Sequence, residues 1–149
     1  MSYFTPYDLD QLRSLEGKRL EKVLYTIWKN LAHPDGTFEV LEWVELLLGD
    51  GTVVGFTTDE EAEGILLGVL DFGLEKQRVK HQFGGQVALE RVDMGPSPTW
   101  QPLMGRRITA VGLLPTEAGG YPSSLVHLIF GKQRVELALN QEGLLVTSQ

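Results

Sequence analysis

Hydrophobic and polar positions follow the same order in two separate parts of the chain. Three matched blocks make up this similarity: Leu15–Tyr25 with Leu103–Leu113, Val44–Gly49 with Val126–Gly131, and Glu63–Leu67 with Glu142–Val146. In the first block four of the eleven aligned positions are identical, and two more are Lys/Arg and Leu/Ile exchanges. Because three matches rarely occur in the same order by chance, we predict two internal repeats with pseudo-two-fold symmetry, about residues 15–70 and 103–149.

Each repeat unit has the pattern of an antiparallel β-sheet with three main strands and a short fourth strand. The segment Gly49–Thr52 is typical of a hairpin turn, because its Asp-Gly pair readily adopts positive φ angles. Apolar residues at Leu20 and Val23, and again at Ile108 and Val111, are three positions apart, where strict alternation places them two apart. This spacing predicts a β-bulge in the first strand of both units.

The segment before the first repeat has the sequence of a short helix over residues 6–14. Thr5 is a favourable N-cap residue, and Pro6 suits the first helical position. We expect Leu9 and Leu12 to face the core and Gly17 to end the helical segment. A short N-terminal helix is therefore predicted to accompany the strands.

Residues 71–99 join the two units and have no counterpart in either of them. We predict an inserted hairpin here, with strands at Leu74–Phe83 and Gln86–Val92 on either side of a Gly-Gly turn. The loop Gly95–Pro98 then leads to Trp100, which we expect to be buried against the sheet. The insertion would thus add two strands to the duplicated scaffold.

The chain length favours one domain over residues 1–149, because a chain of 149 residues buries roughly 70% of its unfolded surface in a single core. The predicted fold class is mainly β, with antiparallel sheets built from the two repeats and a short N-terminal helix. An α+β arrangement is the alternative if Asp59–Leu67 is helical.

Composition and charge exclude several classes of protein. The chain has no Cys, which rules out disulfides, zinc–thiolate centres, iron–sulfur clusters and cysteine nucleophiles. Its 13 Lys and Arg against 20 Asp and Glu give a formal charge of −7, which argues against a nucleic-acid partner. The apolar runs are far shorter than the roughly 20 residues of a membrane span, and the N-terminus lacks the pattern of a signal peptide. We expect a cytoplasmic protein without membrane contact.

Candidate catalytic and ligand-binding motifs are missing from the sequence. His33, His81 and His127 lie in different segments, and none has the neighbours of a metal site. Neither a nucleophile elbow nor a phosphate-binding loop occurs. The acidic segment Asp59–Gly64 has the composition of a solvated turn, with a weak cation site or a surface for a basic partner as alternatives. No catalytic, cofactor-binding or metal-binding residue is predicted.

One basic run stands out against the acidic composition. Lys76, Arg78 and Lys80 alternate along the predicted strand, so that all three side chains would share one face. They are the candidate partner-binding residues, because complementary charge would steer an acidic protein towards them. The alternative interpretation is that they protect an exposed edge strand against aggregation.

The segment Trp100–Ile108 reads Trp-Gln-Pro-Leu-Met-Gly-Arg-Arg-Ile. It resembles a Trp-x-x-Leu-Ile-Gly-Lys-Lys-Ile stretch of small bacterial β-rich proteins of unknown function, some of which are found among toxin-immunity and accessory genes. Met104 and the Arg106-Arg107 pair depart from the Ile and Lys-Lys of that stretch. The resemblance implies a bacterial, non-enzymatic protein and transfers no functional residue.

Two functional hypotheses follow from these observations. The first is a non-catalytic protein-binding or regulatory module, with an immunity-type role as one form of it. The second is a small-molecule binder or enzyme with a site between the two repeats. Asp71 and Glu90 are acids that would supply chemistry at such a site. No cofactor is expected under the first hypothesis, and the oligomeric state is left open.

Overall fold

In the part of the chain that the structure describes, two antiparallel sheets and two α-helices form the fold, which is mainly β as predicted. The computed structural model describes residues 2–32, 38–59, 61 and 63–149. Its elements in chain order are α1 (Pro6–Ser14), β1 (Leu20–Asn30), β2 (Phe38–Leu48), β3 (Val53–Thr58), β4 (Ile65–Gly68), α2 (Phe72–Phe83), β5 (Val87–Asp93), β6 (Ala110–Gly112), β7 (Leu125–Phe130), β8 (Gln133–Leu139) and β9 (Leu144–Ser148). The five-stranded sheet has the order β4-β3-β2-β1-β5, and the four-stranded sheet has the order β6-β7-β8-β9.

Both sheets contain four consecutive strands joined as an antiparallel meander, and their pairing registers agree at aligned positions. The corresponding pairs are Val23–Leu46 and Val111–Leu128, Val44–Phe56 and Val126–Leu137, and Phe56–Leu67 and Leu137–Val146. Register determines which side chains face the core, because a slip of one residue moves every side chain to the other face. The two sheets therefore bury equivalent positions of their strands.

The segments that precede β1 and β6 are hydrogen-bonded to each other. Four backbone bonds join them: Gly17 N to Ile108 O (2.7 Å), Gly105 N to Leu20 O (2.7 Å), Leu20 N to Arg106 O (2.8 Å) and Ile108 N to Lys18 O (2.9 Å). These bonds flank an isolated antiparallel bridge between Arg19 and Arg107. Gly17 and Gly105 have φ angles of +86° and +79°, a conformation that glycine adopts without the steric cost of a side chain.

One large buried cluster includes side chains from both sheets, from α1 and from the loop before β6. Trp100 is completely buried within it, as the sequence predicted, and its indole Nε1 donates a hydrogen bond to the Tyr25 hydroxyl at 2.7 Å. Burial raises the pKa of Tyr25 above its ordinary value, and the bond from Trp100 opposes this shift. Hydrophobic packing between the sheets is thus the main contact that holds them together.

The N-terminal helix has the predicted bounds and the predicted cap. The Thr5 hydroxyl accepts a hydrogen bond from Asp8 N, and the Asp8 carboxylate accepts one from Thr5 N, which completes a capping box. Leu12 is fully buried against the core. Helix α1 therefore packs one apolar residue deep in the core while most of its polar surface stays exposed.

Strand β1 has the predicted bulge, because its pairing with β2 shifts between Leu20 and Lys22. A second shift, which the sequence did not indicate, follows Thr26. Thr26 pairs with Trp43 and the next residue pairs with Leu41, so Glu42 is an extra residue of β2 without an opposite partner. Bulges of this kind bend the strand and re-aim its side chains.

The predicted strand at Leu74–Phe83 is wrong, because these residues belong to helix α2. Asp71 is its N-cap and accepts a hydrogen bond from Leu74 N at 3.1 Å, and Gly84 ends it with a φ angle of +61°. The second arm of the predicted hairpin is a strand, β5, but it pairs with β1. The alternation of charge at residues 76–80 suggested period two, whereas the caps at both ends were the decisive signals.

The helical alternative for Asp59–Leu67 is not observed among the described residues of that segment, since β4 begins at Ile65. Within the described ranges, neither helix has the length and apolar character that a membrane crossing needs.

Candidate functional site: an acidic groove beside helix α2

Helix α2 covers part of the outer face of the five-stranded sheet. Val79 of the helix and Val87 and Leu89 of β5 form a small second core. The rings of Trp28 and Phe83 meet edge to face at 5.9 Å, a favourable aromatic geometry. This packing fixes the helix over β1 and β5, and it leaves the outer face of β2 and β3 uncovered.

The uncovered part of this face is the floor of a groove of about 630 Å³, which lies within the size range of ligand sites. Its floor includes Thr26, Trp43 and Thr57, its helical wall includes Glu75, Arg78 and Val79, and its loop wall includes Asp59, Glu61 and Glu142. Because Glu142 lies in the loop between β8 and β9, both sheets contribute to the groove.

The indole of Trp43 lies against two glycines of the sheet, and one of them is needed for this position. A Cβ atom at Gly55 would approach Trp43 Cζ3 to 2.7 Å, and one at Gly68 would lie 3.6 Å from Trp43 Cη2. The first distance is shorter than any real Cβ contact, so a side chain at position 55 would displace the ring. Gly55 therefore makes room for an aromatic floor that reaches over β3 to Gly68 on β4.

The second bulge places Glu42 next to this aromatic floor. Glu42 is the extra residue between Leu41 and Trp43 and lines the groove. The hydroxyl of Thr57 on β3 donates a hydrogen bond to the backbone oxygen of Glu42 at 2.6 Å, which fixes the bulged backbone. Strict alternation would place neighbouring residues such as Glu42 and Trp43 on opposite faces of the sheet. Because of the bulge, both side chains line the groove.

Negative charge dominates the groove. Five carboxylates line it, those of Glu42, Asp59, Glu61, Glu75 and Glu142, and among the described lining residues the one cation is Arg78. Arg78 binds Glu75 through its guanidinium and also donates to Gln82 at 2.9 Å. Burial raises the pKa of Glu42 above its usual range, Glu75 raises it further, and Arg78 lowers it.

Replacing Glu42 with glutamine is expected to raise the melting temperature at neutral pH. A carboxyl whose pKa is raised by folding stabilises the fold while protonated, and this contribution is lost as the pH rises through the raised pKa. The charged Glu42 therefore costs stability at neutral pH, and Gln removes that cost. Thermal melts of both proteins at neutral pH and in acid measure the difference, which should shrink in acid.

The matched control is Glu61→Gln, which removes an exposed carboxylate of the same groove. It should change the melting temperature less than Glu42→Gln does. The other charges that face Glu42 are unchanged between the unmodified protein and Glu42→Gln; they are Asp59, Glu75, Arg78 and Glu142. A stabilisation by Glu42→Gln that stays constant into acid would therefore contradict its assignment to the charge on Glu42.

Thr26 is a buried polar residue on the groove floor. Its residue surface is 0% exposed, and its hydroxyl oxygen has no hydrogen-bond partner among the described residues. Thr26 lies on the interior strand β1, opposite Trp43 on one side and Arg91 on the other. A buried hydroxyl without a partner destabilises a fold by about 1–3 kcal/mol, so this position is costly in the free protein.

A buried ion pair connects the groove to the rest of the sheet. The Arg91 guanidinium contacts both oxygens of the Glu45 carboxylate at 2.8 and 2.9 Å, and Glu45 is only 2% exposed. The Arg91 Cζ atom also lies 5.4 Å from the centroid of the Phe72 ring at the start of α2. Arg91 thereby links β2, β5 and the helix that forms one wall of the groove.

The residues that the sequence suggested for chemistry have structural roles. Asp71 caps α2, and Glu90 forms an ion pair with Lys29. His127 contacts the Glu136 carboxylate at 2.9 Å. His81 lies on α2, and His33 lies outside the described residues. No group of His, Cys, Asp and Glu within the described ranges is arranged to hold a metal ion.

Helix α2 separates the three candidate partner-binding residues. Lys76 and Lys80 are exposed one helical turn apart, whereas Arg78 lies on the other side and lines the groove. The shared face and the edge-strand interpretation are therefore both wrong, because each required a strand. The acidic segment after Thr58 was the one sequence signal that pointed towards the groove.

Comparisons with protein-family models, with curated proteins and with solved structures found no match to this chain. The chemistry of the groove is the basis for a functional assignment. Clustered carboxylates beside aromatic rings attract positive charge, since anionic side chains and the faces of aromatic rings both stabilise cations.

Proposed function

We propose that this protein is a non-catalytic binding module whose acidic groove receives a basic segment of a partner protein. The observation that supports this is the groove lining, in which five carboxylates face one arginine. The chain as a whole has a formal charge of −7, so its field adds to the attraction. Complementary charge of this kind accelerates association and excludes acidic partners.

The distribution of the carboxylates favours a ligand with several cations. Glu42 on the floor and Glu75 on the helical wall are partly buried, and we call this part of the groove its inner end. Glu61 and Glu142 are exposed on the loop wall. One small cation cannot satisfy both ends, but a peptide with several basic residues can. A partner neutralised in this way fits the immunity-type role among our hypotheses. Contacts of Lys76 and Lys80 with the same partner stay a prediction.

We infer that the two sheets arose from one duplicated unit, about residues 15–70 and 103–149. The equal pairing registers and the reciprocal hydrogen bonds on either side of the Arg19–Arg107 bridge support this origin. The loop before β9 approaches β2 closely, since a Cβ at Gly143 would lie 3.3 Å from Leu41 O. That approach closes the groove with a loop of the second unit.

The contribution of both sheets to the groove favours a second candidate function, the binding of a small organic cation between the repeats. The groove volume of about 630 Å³ suits such a ligand. A free polyamine is the simplest molecule with the required chemistry, since it combines several ammonium groups with an aliphatic chain. Spermidine is therefore the probe that tests this candidate.

Titration with hexalysine at low ionic strength tests the main proposal, with calorimetry as the measurement. The double variant Glu61→Gln/Glu142→Gln should bind hexalysine about fivefold more weakly than the unmodified protein, because two rim charges contribute about 1 kcal/mol together. The matched control is Asp10→Asn/Glu117→Gln, which makes the same charge change at exposed positions outside the groove. The control should weaken binding less than twofold.

Equal weakening by the two double variants would show that hexalysine responds only to net charge, and it would contradict the groove as the binding site. Failure of the unmodified protein to bind hexalysine at low ionic strength would also contradict the proposal. Added salt should weaken the binding, because screening reduces attraction between exposed charges.

A further inference from the structure

We propose that the inner end of the groove is a subsite for one lysine side chain, whose ammonium group binds the Glu42 carboxylate and the hydroxyls of Thr26 and Thr57. This inference rests on the proposed function and names the group that the groove recognises. It goes further because it assigns a specific chemical role to a buried hydroxyl and to a bulged glutamate.

The backbone brings these three oxygen-bearing side chains together. Thr26 pairs with Trp43, and Glu42 directly precedes Trp43 in the bulge. Thr57 is tied to the same place because its hydroxyl donates to the Glu42 backbone oxygen at 2.6 Å. All three residues line the groove, and each lies on a different strand. The three side chains therefore line the same groove from three adjacent strands.

The hydrogen-bonding capacity of these groups matches an ammonium ion. The Thr57 hydroxyl uses its proton on Glu42, so it offers only lone pairs to a ligand. The Thr26 hydroxyl has no partner among the described residues, and the ionised Glu42 carboxylate accepts hydrogen bonds without donating any. Three acceptors thus face a group with three donors and no acceptor, which is the ammonium of lysine.

Arginine fits this arrangement less well than lysine. A guanidinium places its donors in one rigid plane and prefers two acceptors side by side, as in a carboxylate. Here the acceptors come from three strands, and the two hydroxyls are separate from the carboxylate. The indole of Trp43 supplies an apolar surface for the methylene groups of a lysine stem, which pack along such surfaces while the charged end is bound.

Two of these groups are unfavourable in the free protein and are relieved by the same ligand. Thr26 buries a hydroxyl without a partner among the described residues, and Glu42 has a pKa raised by burial. An ammonium would supply a donor to the first and a counter-charge to the second. Stability is commonly lost at functional sites in this way, because a site prepared for a ligand is strained without it.

The variant Thr26→Val separates recognition from a merely structural role. Valine has nearly the shape of threonine and lacks the hydroxyl, so the melting temperature should stay equal or rise. Affinity for hexalysine should fall about tenfold, since a hydrogen bond to a charged group is lost. Affinity for hexaarginine should change less than twofold. Calorimetry with both peptides and a thermal melt of each protein provide the measurements.

Two control variants complete this experiment. Thr26→Ser keeps the hydroxyl and should keep most of the preference for hexalysine. Thr147→Val makes the same chemical change on β9, at an exposed position that does not line the groove, and should leave both affinities unchanged. A spermidine titration of the same proteins tests whether the ammonium comes from a peptide or from a free polyamine.

The outcomes distinguish the subsite from the proposed function. If neither peptide binds the unmodified protein, both proposals fail together. If both peptides bind and Thr26→Val leaves hexalysine affinity unchanged, the lysine subsite is wrong while the groove remains a binding site. If spermidine binds at least as tightly as hexalysine and loses the same factor in Thr26→Val, a free polyamine replaces the lysine side chain as the ligand.

Discussion

Replacing Trp100 with alanine is expected to lower the free energy of unfolding by about 3–5 kcal/mol, the cost typical of deleting a large aromatic side chain from a core. Trp100 is 0% exposed and belongs to the buried cluster that both sheets share. The change also removes the indole donor from the Tyr25 hydroxyl, 2.7 Å away. Urea unfolding followed by far-UV circular dichroism measures the loss.

The control for this prediction is Trp100→Phe, which keeps most of the buried ring and removes the hydrogen bond. It should cost about 1–3 kcal/mol, because the Tyr25 hydroxyl then lacks its donor. Combining it with Tyr25→Phe should recover part of that loss, since no polar group is then left without a partner. A cost below about 1 kcal/mol for the alanine variant would show that Trp100 does not join the sheets as described.

The strands and the first helix could be predicted because local sequence specifies them. Thr5 and Pro6 define the start of α1, and the Asp-Gly pair at residues 50–51 defines the hairpin between β2 and β3. In that hairpin the Asp50 carboxylate accepts bonds from the Thr52 backbone and side chain, and together with Lys18 these hold the pKa of Asp50 at about 2. Short-range hydrogen bonds of this kind leave a clear sequence signal.

Helix α2 was missed because charge alternation competed with capping signals. The residues that pack it, Phe72, Val79 and Phe83, are seven and four positions apart, which fits a helical face. Asp71 before that face and Gly84 after it fit an N-cap and a C-cap. The alternation of lysine and arginine did not mark one face, because Lys76 and Lys80 are exposed on one side of the helix and Arg78 lines the groove on the other.

The groove could not be predicted, because its parts become neighbours only in the tertiary structure. Thr26, Glu42 and Thr57 are distant in sequence. The bulge that places the Glu42 side chain in the groove depends on the pairing between β1 and β2. The space above the sheet exists because α2 packs on β1 and β5 and leaves the outer face of β2 and β3 open. Only the acids near Asp59 gave a local hint of its charge.

Replacing Arg91 with alanine is expected to cost about 3 kcal/mol of unfolding free energy, at the lower end of the range for breaking a buried ion pair. Glu45 is 2% exposed, so loss of the guanidinium leaves an uncompensated charge inside the protein. The lower end applies because the Arg91 side chain is 36% exposed and water can partly replace it. Urea unfolding at neutral pH measures this cost, and an effect near zero would contradict the role of the pair.

The double variant Glu45→Leu/Arg91→Met should recover most of that stability, because apolar residues of similar volume often replace a buried ion pair without loss. The effect on binding is a separate result. Arg91 contacts Phe72 at the start of α2, so Arg91→Ala should loosen the helical wall and weaken hexalysine binding together with stability. Thr26→Val should weaken the same binding without lowering the melting temperature. If Arg91→Ala lowers both stability and affinity while Thr26→Val lowers affinity alone, the groups that recognise the ligand are distinct from the contacts that hold the groove in place.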